Sequence, residues 1–180
     1  MAYIDPPAFA GSEVLAAADL NVAMDDIRAL KVLADSVAFC GVSLGRPAAQ
    51  SIPTTVHTSV SWSEAPIDSS GWWSSGTDAV VPADAVPPGY SQAVLEIDIQ
   101  ASYATNGTGL RAVEVTVNGG VVEYQFKISA ITGDTTQVAQ TVWAQVSVGD
   151  IVNGKIYQSS GGDLAASEIS MHIKRIGVIV

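Results

Sequence analysis

At 180 residues and 18.6 kDa, with 48% apolar and 14% charged residues, the chain has the material for one domain with a sizeable core plus an appendage, which excludes disorder for want of core-forming residues. A formal net charge of −10 and a pI near 4.3 exclude a nucleic-acid phosphate backbone as partner, because that affinity comes from Lys and Arg displacing counterions, and the 8 basic residues are scattered. The N-terminus MAYIDPPAFAGSE lacks a basic n-region and carries Asp5 and Glu13 where a signal peptide has an apolar run, and no apolar run reaches the roughly 18 residues of a membrane span. A soluble protein made in a cytoplasm, with no membrane insertion, is the expectation.

From Leu15 to Asp35 the text LAAADLNVAMDDIRALKVLAD contains no Gly or Pro, and Leu20, Ala23, Met24, Ile27, Leu30 and Ala34 recur at three- and four-residue spacing. That pattern predicts a helix of about 30 Å with one apolar stripe. Ser12 is placed to cap it, and Glu13 falls in the first turn, where the helix dipole favours a negative charge. Because the helix lies at one end, outside the β-rich body, Leu20, Met24, Ile27 and Leu30 are read as oligomerisation or docking residues; packing on its own domain is the plain alternative. Residues 1–36 are taken as N-terminal arm and helix, and 37–180 as the second domain. Cys40, the only cysteine, has no intrachain disulfide partner and sits in the apolar run AFCGV, as a buried structural thiol does.

Beyond Ser36 the period changes to two. A first strand is predicted over Thr54 to Trp62. Leu95, Ile97, Ile99, Ala101 and Tyr103 then alternate with Glu96, Asp98, Gln100 and Ser102, so this strand has one wet face. Val113, Val115 and Val117 lead through Asn118-Gly119-Gly120 to Val122, Tyr124, Phe126 and Ile128, a hairpin whose Asn-Gly turn tolerates positive φ. Strands follow at Gln137–Val148, Asp150–Gln158 and Ile169–Val180, with turns at Thr132–Thr135, Gly149 and Ser159–Gly162. Many antiparallel strands without helical interludes predict a sandwich or jelly roll. The Pro- and Gly-rich stretch from Glu64 to Pro88, with short strands around Trp72–Trp73 and Ala79–Val81, is where surface function is expected.

Catalytic groups are scarce. His57 and His172 are on the polar parity of predicted strands, as surface histidines are. No G-x-S-x-G elbow, C-x-x-C, H-E-x-x-H or EF-hand loop is present. Asp134 reads as turn chemistry, Gly107 and Gly109 precede no helix and form no phosphate loop, and alternation alone accounts for Glu96 and Asp98 sharing a face. Neither an enzyme nor a cofactor or metal is expected.

The order of motifs QSIPTTVHTSVSW (50–62), PIDSSGWW (66–73), VPPGY (86–90), YSQAVLEIDIQASYA, NGTGLRAVEVTVNGG (106–120), VSVGDIVNGKIYQSSGGDL (146–164) and ISMHIKRIG resembles the C1q/TNF-like jelly-roll domains of bacteriophage virion proteins. The resemblance covers roughly residues 50 to 178 and rests on Asp68, Gly71, Gly89, Tyr90, Gly109, Arg111, Asn118, Gly119, Gly149 and Asp150. FAGSEVLAAADLNVAMDDIRAL (9–30) is similar to N-terminal segments of tail-associated proteins of siphophages. Taken together, these imply a mainly β, antiparallel C1q/TNF-like jelly-roll sandwich preceded by an α-helix. They also imply a homotrimer, held to other virion proteins by its N-terminal segment.

The function so implied is that of a non-enzymatic minor tail or tail-tip component located in the virion and touching the host surface, with a capsid decoration or head-fibre protein, or a carbohydrate-binding module, as alternatives. A host-surface glycan is the candidate ligand. Trp72 and Trp73, in SSGWWSSG, are its candidate binding residues. Successive side chains of an extended segment point to opposite faces, so the pair cannot form one flat platform. One ring is expected in the core and its neighbour at a subunit or virion contact, with sugar stacking by the outward ring as the alternative.

Overall fold

The computed structural model describes residues 21–28, 40–123 and 126–180. They belong to two units divided after Ala38, each described by itself.

In the first unit a helix, α1, spans 21–28. Met24 and Ile27 lie one turn apart on it and are exposed, and Arg28 Nη1 bonds Asp25 Oδ1 at 3.0 Å along its surface. The remainder of the predicted helix, with Leu20 and Leu30, lies outside the described residues. Among the described residues no helix is long and apolar enough to cross a membrane.

The second unit is built from strands β1 (Gly41–Arg46), β2 (Gln50–Ile52), β3 (Thr58–Ser59), β4 (Glu64–Asp68), β5 (Asp78–Val80), β6 (Gln92–Tyr103), β7 (Leu110–Val117), β8 (Gly120–Val121), β9 (Phe126–Ser129), β10 (Thr136–Val146), β11 (Ile151–Gln158) and β12 (Leu164–Ile179). One sheet runs β10-β6-β12-β1-β4, with β2 also on β12; the other runs β3-β11-β7-β8, with β5 on β11 and β9 on β7. Every pairing is antiparallel. Neighbours in each sheet are mostly distant in sequence, which is the connectivity of a jelly roll and matches the expected fold class.

Alternation explains the core. Leu95, Ile97, Ile99, Ala101 and Tyr103 of β6 are buried with Ile169, Met171 and Ile173 of β12 on one side, and Val113, Val115, Val152 and Ile156 of β7 and β11 face them from the other. Gly154 marks where the layers come closest: a Cβ there would lie 2.9 Å from Ile99 Cδ1 and 3.0 Å from Trp62 Cζ2. Cys40 is buried, and burial pushes its thiol up in pKa, away from the reactive thiolate.

Residues that carry the sequence resemblance prove to be turn and loop builders. Asn118 and Gly119 take φ of 50° and 79°, as a type I′ turn requires. Asn118 Nδ2 donates to Asp150 Oδ1 at 2.8 Å, and Ser147 N donates to Asp150 Oδ2 at 2.7 Å, so two turns at one end of the β7 sheet are tied together. Gly109 has φ +78°, and a Cβ there would lie 2.0 Å from the Ser159 carbonyl oxygen. Arg111 is fully buried, donating to the carbonyls of Thr108, Leu110 and Asn106 at 2.8–3.0 Å, with Tyr103 beneath its guanidinium at 5.9 Å. Its burial lowers its pKa.

Three expectations need correction. Thr54–Trp62 is not one strand: Thr55 turns at φ 62°, and only Thr58 and Ser59 pair with β11. Val122–Ile128 is also interrupted. Thr116 faces Val121 but Val113 faces Phe126, so the register on β7 shifts by two between β8 and β9, and edge-strand Phe126 is exposed where burial was expected. Within Glu64–Pro88 the short strand expected around Ala79–Val81 is present as β5, but Trp72–Trp73 form no strand; the other elements are β4 and a 3-10 turn at Ala83–Ala85.

Candidate functional site

The Trp72-Trp73 pair is organised by the residue four positions before it. Asp68 ends β4, and the chain then curls around its carboxylate. Oδ1 accepts from the backbone N–H of Ser70, Gly71 and Trp72 at 3.3, 2.8 and 2.9 Å, and Oδ2 accepts from Trp73 N at 3.1 Å. Partial burial pushes this carboxyl up, but the four donors together outweigh it and hold the group below its usual range.

Gly71, at φ 74°, completes the turn, and Trp72 drops into the core at 1% exposure. Its indole N–H is buried without a hydrogen-bond partner of ordinary geometry, facing the Cys40 thiol, a weak acceptor. Trp73 is half-buried against the same core, with Nε1 donating to the Gly76 carbonyl at 3.3 Å. Trp72 therefore has no ring face for a ligand, and of the pair only Trp73 reaches the surface. The Asp68 turn is a structural device.

Asp68→Ala should lower stability by about 2 kcal/mol, the order expected when hydrogen bonds to a charged group are lost. Because the folded-state pKa is depressed, the stabilisation is present above the ordinary carboxylate pKa and is lost as pH falls through the folded value. Urea unfolding of both forms at pH 7 and pH 3 measures it, with a smaller gap expected at pH 3. An undiminished gap would exclude the ionised carboxylate as its origin.

The outer face of the β6 sheet offers a different surface. Gln137, Ala139, Thr141, Trp143 and Gln145 of β10 point outward, beside Glu96, Asp98 and Gln100 of β6, with His172 and Lys174 of β12 on the far side. Trp143 is 64% exposed, the most exposed aromatic side chain among the described residues. Trp143 stands opposite Glu96 on β6; beyond that pair, toward the strand ends, Val94 lies over Gly177 and exposed Ile176 sits where the β12 register shifts.

The rest is polar. Thr141 Oγ1 donates to Asp98, and Lys174 Nζ is 3.8 Å from Glu96 Oε1, an exposed pair that contributes little by itself. Shallow grooves of about 310 and 150 Å³ run along β10 and β6 past Gln100 and Ala139. Among the described residues no three His, Cys, Asp or Glu side chains are placed to hold a metal ion.

Trp143 escaped the sequence reading of candidate residues, although its parity with Gln137, Thr141 and Gln145 marks an aromatic on a wet face. His172 lies exposed on the same face, as expected for a surface residue. His57 is exposed as well, on the other sheet, where it packs against Tyr157 and Glu114.

No protein-family model and no curated protein sequence matches the chain. Among solved structures it is similar to the globular domain of zebrafish complement 1qA protein, with 14% identity and a TM-score of 0.54 over 77% of this chain and 98% of that one. It is similar also to murine APRIL at pH 8.0, with 14% identity and a TM-score of 0.56 over 77% of this chain and 100% of that one. These likenesses establish a C1q/TNF-like jelly-roll fold.

Proposed function

We propose that this chain is a non-enzymatic structural protein of a bacteriophage virion, a homotrimeric minor tail or tail-tip component that touches the host surface. The observation that carries the assembly half of this reading is Trp143, 64% exposed on the outer face of the β6 sheet, with exposed Ile176 further along the same face. A large aromatic on the wet parity of a strand is poorly placed in a lone subunit and well placed against a second copy. The C1q/TNF-like fold supports a trimer about a threefold axis, with this face turned inward. The virion half is supported by the order of sequence motifs and by α1, whose exposed Met24 and Ile27 suit it to bundle with its copies or dock into a particle.

Light scattering on the purified chain at micromolar concentration is expected to return three times 18.6 kDa, and a monomer would count against the assembly. Deleting residues 1–36 tells whether the helix contributes. Immunogold labelling of purified particles is expected to mark tails. Exclusive labelling of capsids would replace the tail reading with capsid decoration, and absence from particles would overturn the virion reading.

A further inference from the structure

The outer face of the β7 sheet points away from the proposed assembly face, and its middle carries charge. On β11, Lys155 stands opposite Glu114 of β7, and Tyr157 stands opposite Ala112, beyond which lies Lys127 of β9. His57, just ahead of β3, closes the row. Its ring centroid is 4.8 Å from that of Tyr157, and its Nδ1 is 3.6 Å from Glu114 Oε2. Lys155 Nζ lies 4.0 Å from the other oxygen of Glu114, and the Lys127 ammonium is 5.3 Å from the centre of the Tyr157 ring. The Glu114 side chain is 6% exposed, whereas those of His57 and Lys155 remain 35% and 26% exposed. The carboxylate thus lies beneath basic groups that it holds in place.

This clustering is against the trend of the chain. Its formal charge is −10, yet two of its four lysines meet on this face, Lys155 at the Glu114 carboxylate and Lys127 over the neighbouring Tyr157 ring. Between Lys127 and Tyr157 on the sheet lies Ala112, which is fully buried.

A second observation comes from the adjoining turn. Thr55, a β-branched residue, sits at φ 62°, held by its N–H to the Gln158 carbonyl at 2.7 Å, and next to it Val56 is 48% exposed. A β-branched residue in the left-handed region is strained, and such strain persists mainly where it positions something. Here the turn carries exposed Val56 one residue before His57.

We infer that this face binds an acidic saccharide. Lys127 and Lys155 take its carboxylate or sulfate groups, and Val56 with the edge of Tyr157 takes the apolar side of a sugar ring. The inference rests on the proposed host contact and moves it from the Trp72-Trp73 turn to the opposite side of the sandwich from Trp143.

Isothermal titration of the full chain with a polyuronate oligosaccharide, a sulfated oligosaccharide and a neutral dextran oligosaccharide tests it. Binding is expected for one or both acidic ligands and not for dextran, weakening as salt rises. Lys127→Ala and Lys155→Gln are each expected to weaken it about tenfold, while Lys174→Gln on the other sheet leaves it unchanged. Lys127 approaches an aromatic ring and no carboxylate, so its removal spares the Glu114 contacts. Equal affinity for dextran, undiminished binding by Lys127→Ala, or no binding by a folded chain would overturn the inference. Light scattering and particle labelling read the assembly and virion proposals separately, so a trimer found on particles that binds no acidic sugar sinks this site alone.

Discussion

Trp72→Ala is expected to cost about 3–5 kcal/mol of folding stability, the range for truncating a buried aromatic, whereas Trp73→Ala costs about 1 kcal/mol. The difference follows from position. Trp72 is 1% exposed within the continuous core, so removing its indole opens a cavity that the two sheets cannot fill without moving. Its carbonyl accepts from Val80 N at 2.7 Å, which fastens the turn to β5 and transmits any shift of the ring. Trp73 is only half-buried. Because the Trp72 indole N–H has no conventional partner, Trp72→Phe should fall well short of the alanine cost: it loses area but no hydrogen bond. Urea denaturation of the three variants checks the order, and equal losses for Trp72→Ala and Trp73→Ala would refute the division of roles between the two rings.

Trp143→Ser is expected to convert the proposed trimer to monomer while changing the stability of the single subunit by no more than about 0.5 kcal/mol. The ring is 64% exposed in the subunit, so it contributes little there. Burying that exposed part of an indole on association is worth about 3–4 kcal/mol per subunit before the entropic costs, enough to decide assembly three times over. Sedimentation or light scattering gives the mass, and thermal unfolding at low concentration gives the subunit's own stability. A trimer that survives Trp143→Ser would move the interface off the β6 sheet face. Loss of subunit stability would mean the ring supports its own domain.

How much was legible varies with how local the determining force is. The β6 alternation and the Asn118-Gly119 turn could be read directly, because strand parity and positive φ are properties of the residue and its neighbours. Strand β1 could not. Gly41 and Gly45 sit inside it and blur the alternation, yet it lies against β12 through six register pairs, from Gly41↔Lys174 to Arg46↔Ile169. Its strand character comes from that partner. Phe126 reads as inward by parity and is exposed, because β9 is an edge strand paired with β7 alone.

The candidate sites divide the same way. That Trp72 and Trp73 cannot share a face followed from an extended backbone, but which ring entered the core was decided by Asp68, whose carboxylate gathers four N–H groups and sets the direction of the turn. Glu114 stands on the polar parity of β7 and is nevertheless buried, because His57 arrives from a turn 57 residues earlier in the chain and Lys155 from β11. Period-two alternation assigns each side chain to one of two faces. What covers a face is a long-range matter, and here that decided the buried carboxylate, the exposed Trp143 and the basic row around Tyr157. The sequence by itself determined an acidic, antiparallel β-sandwich with Asn-Gly and Gly-Asp turns. Only the tertiary structure decided which outward residues meet one another, since their distances are set by strand order and register that no local pattern encodes.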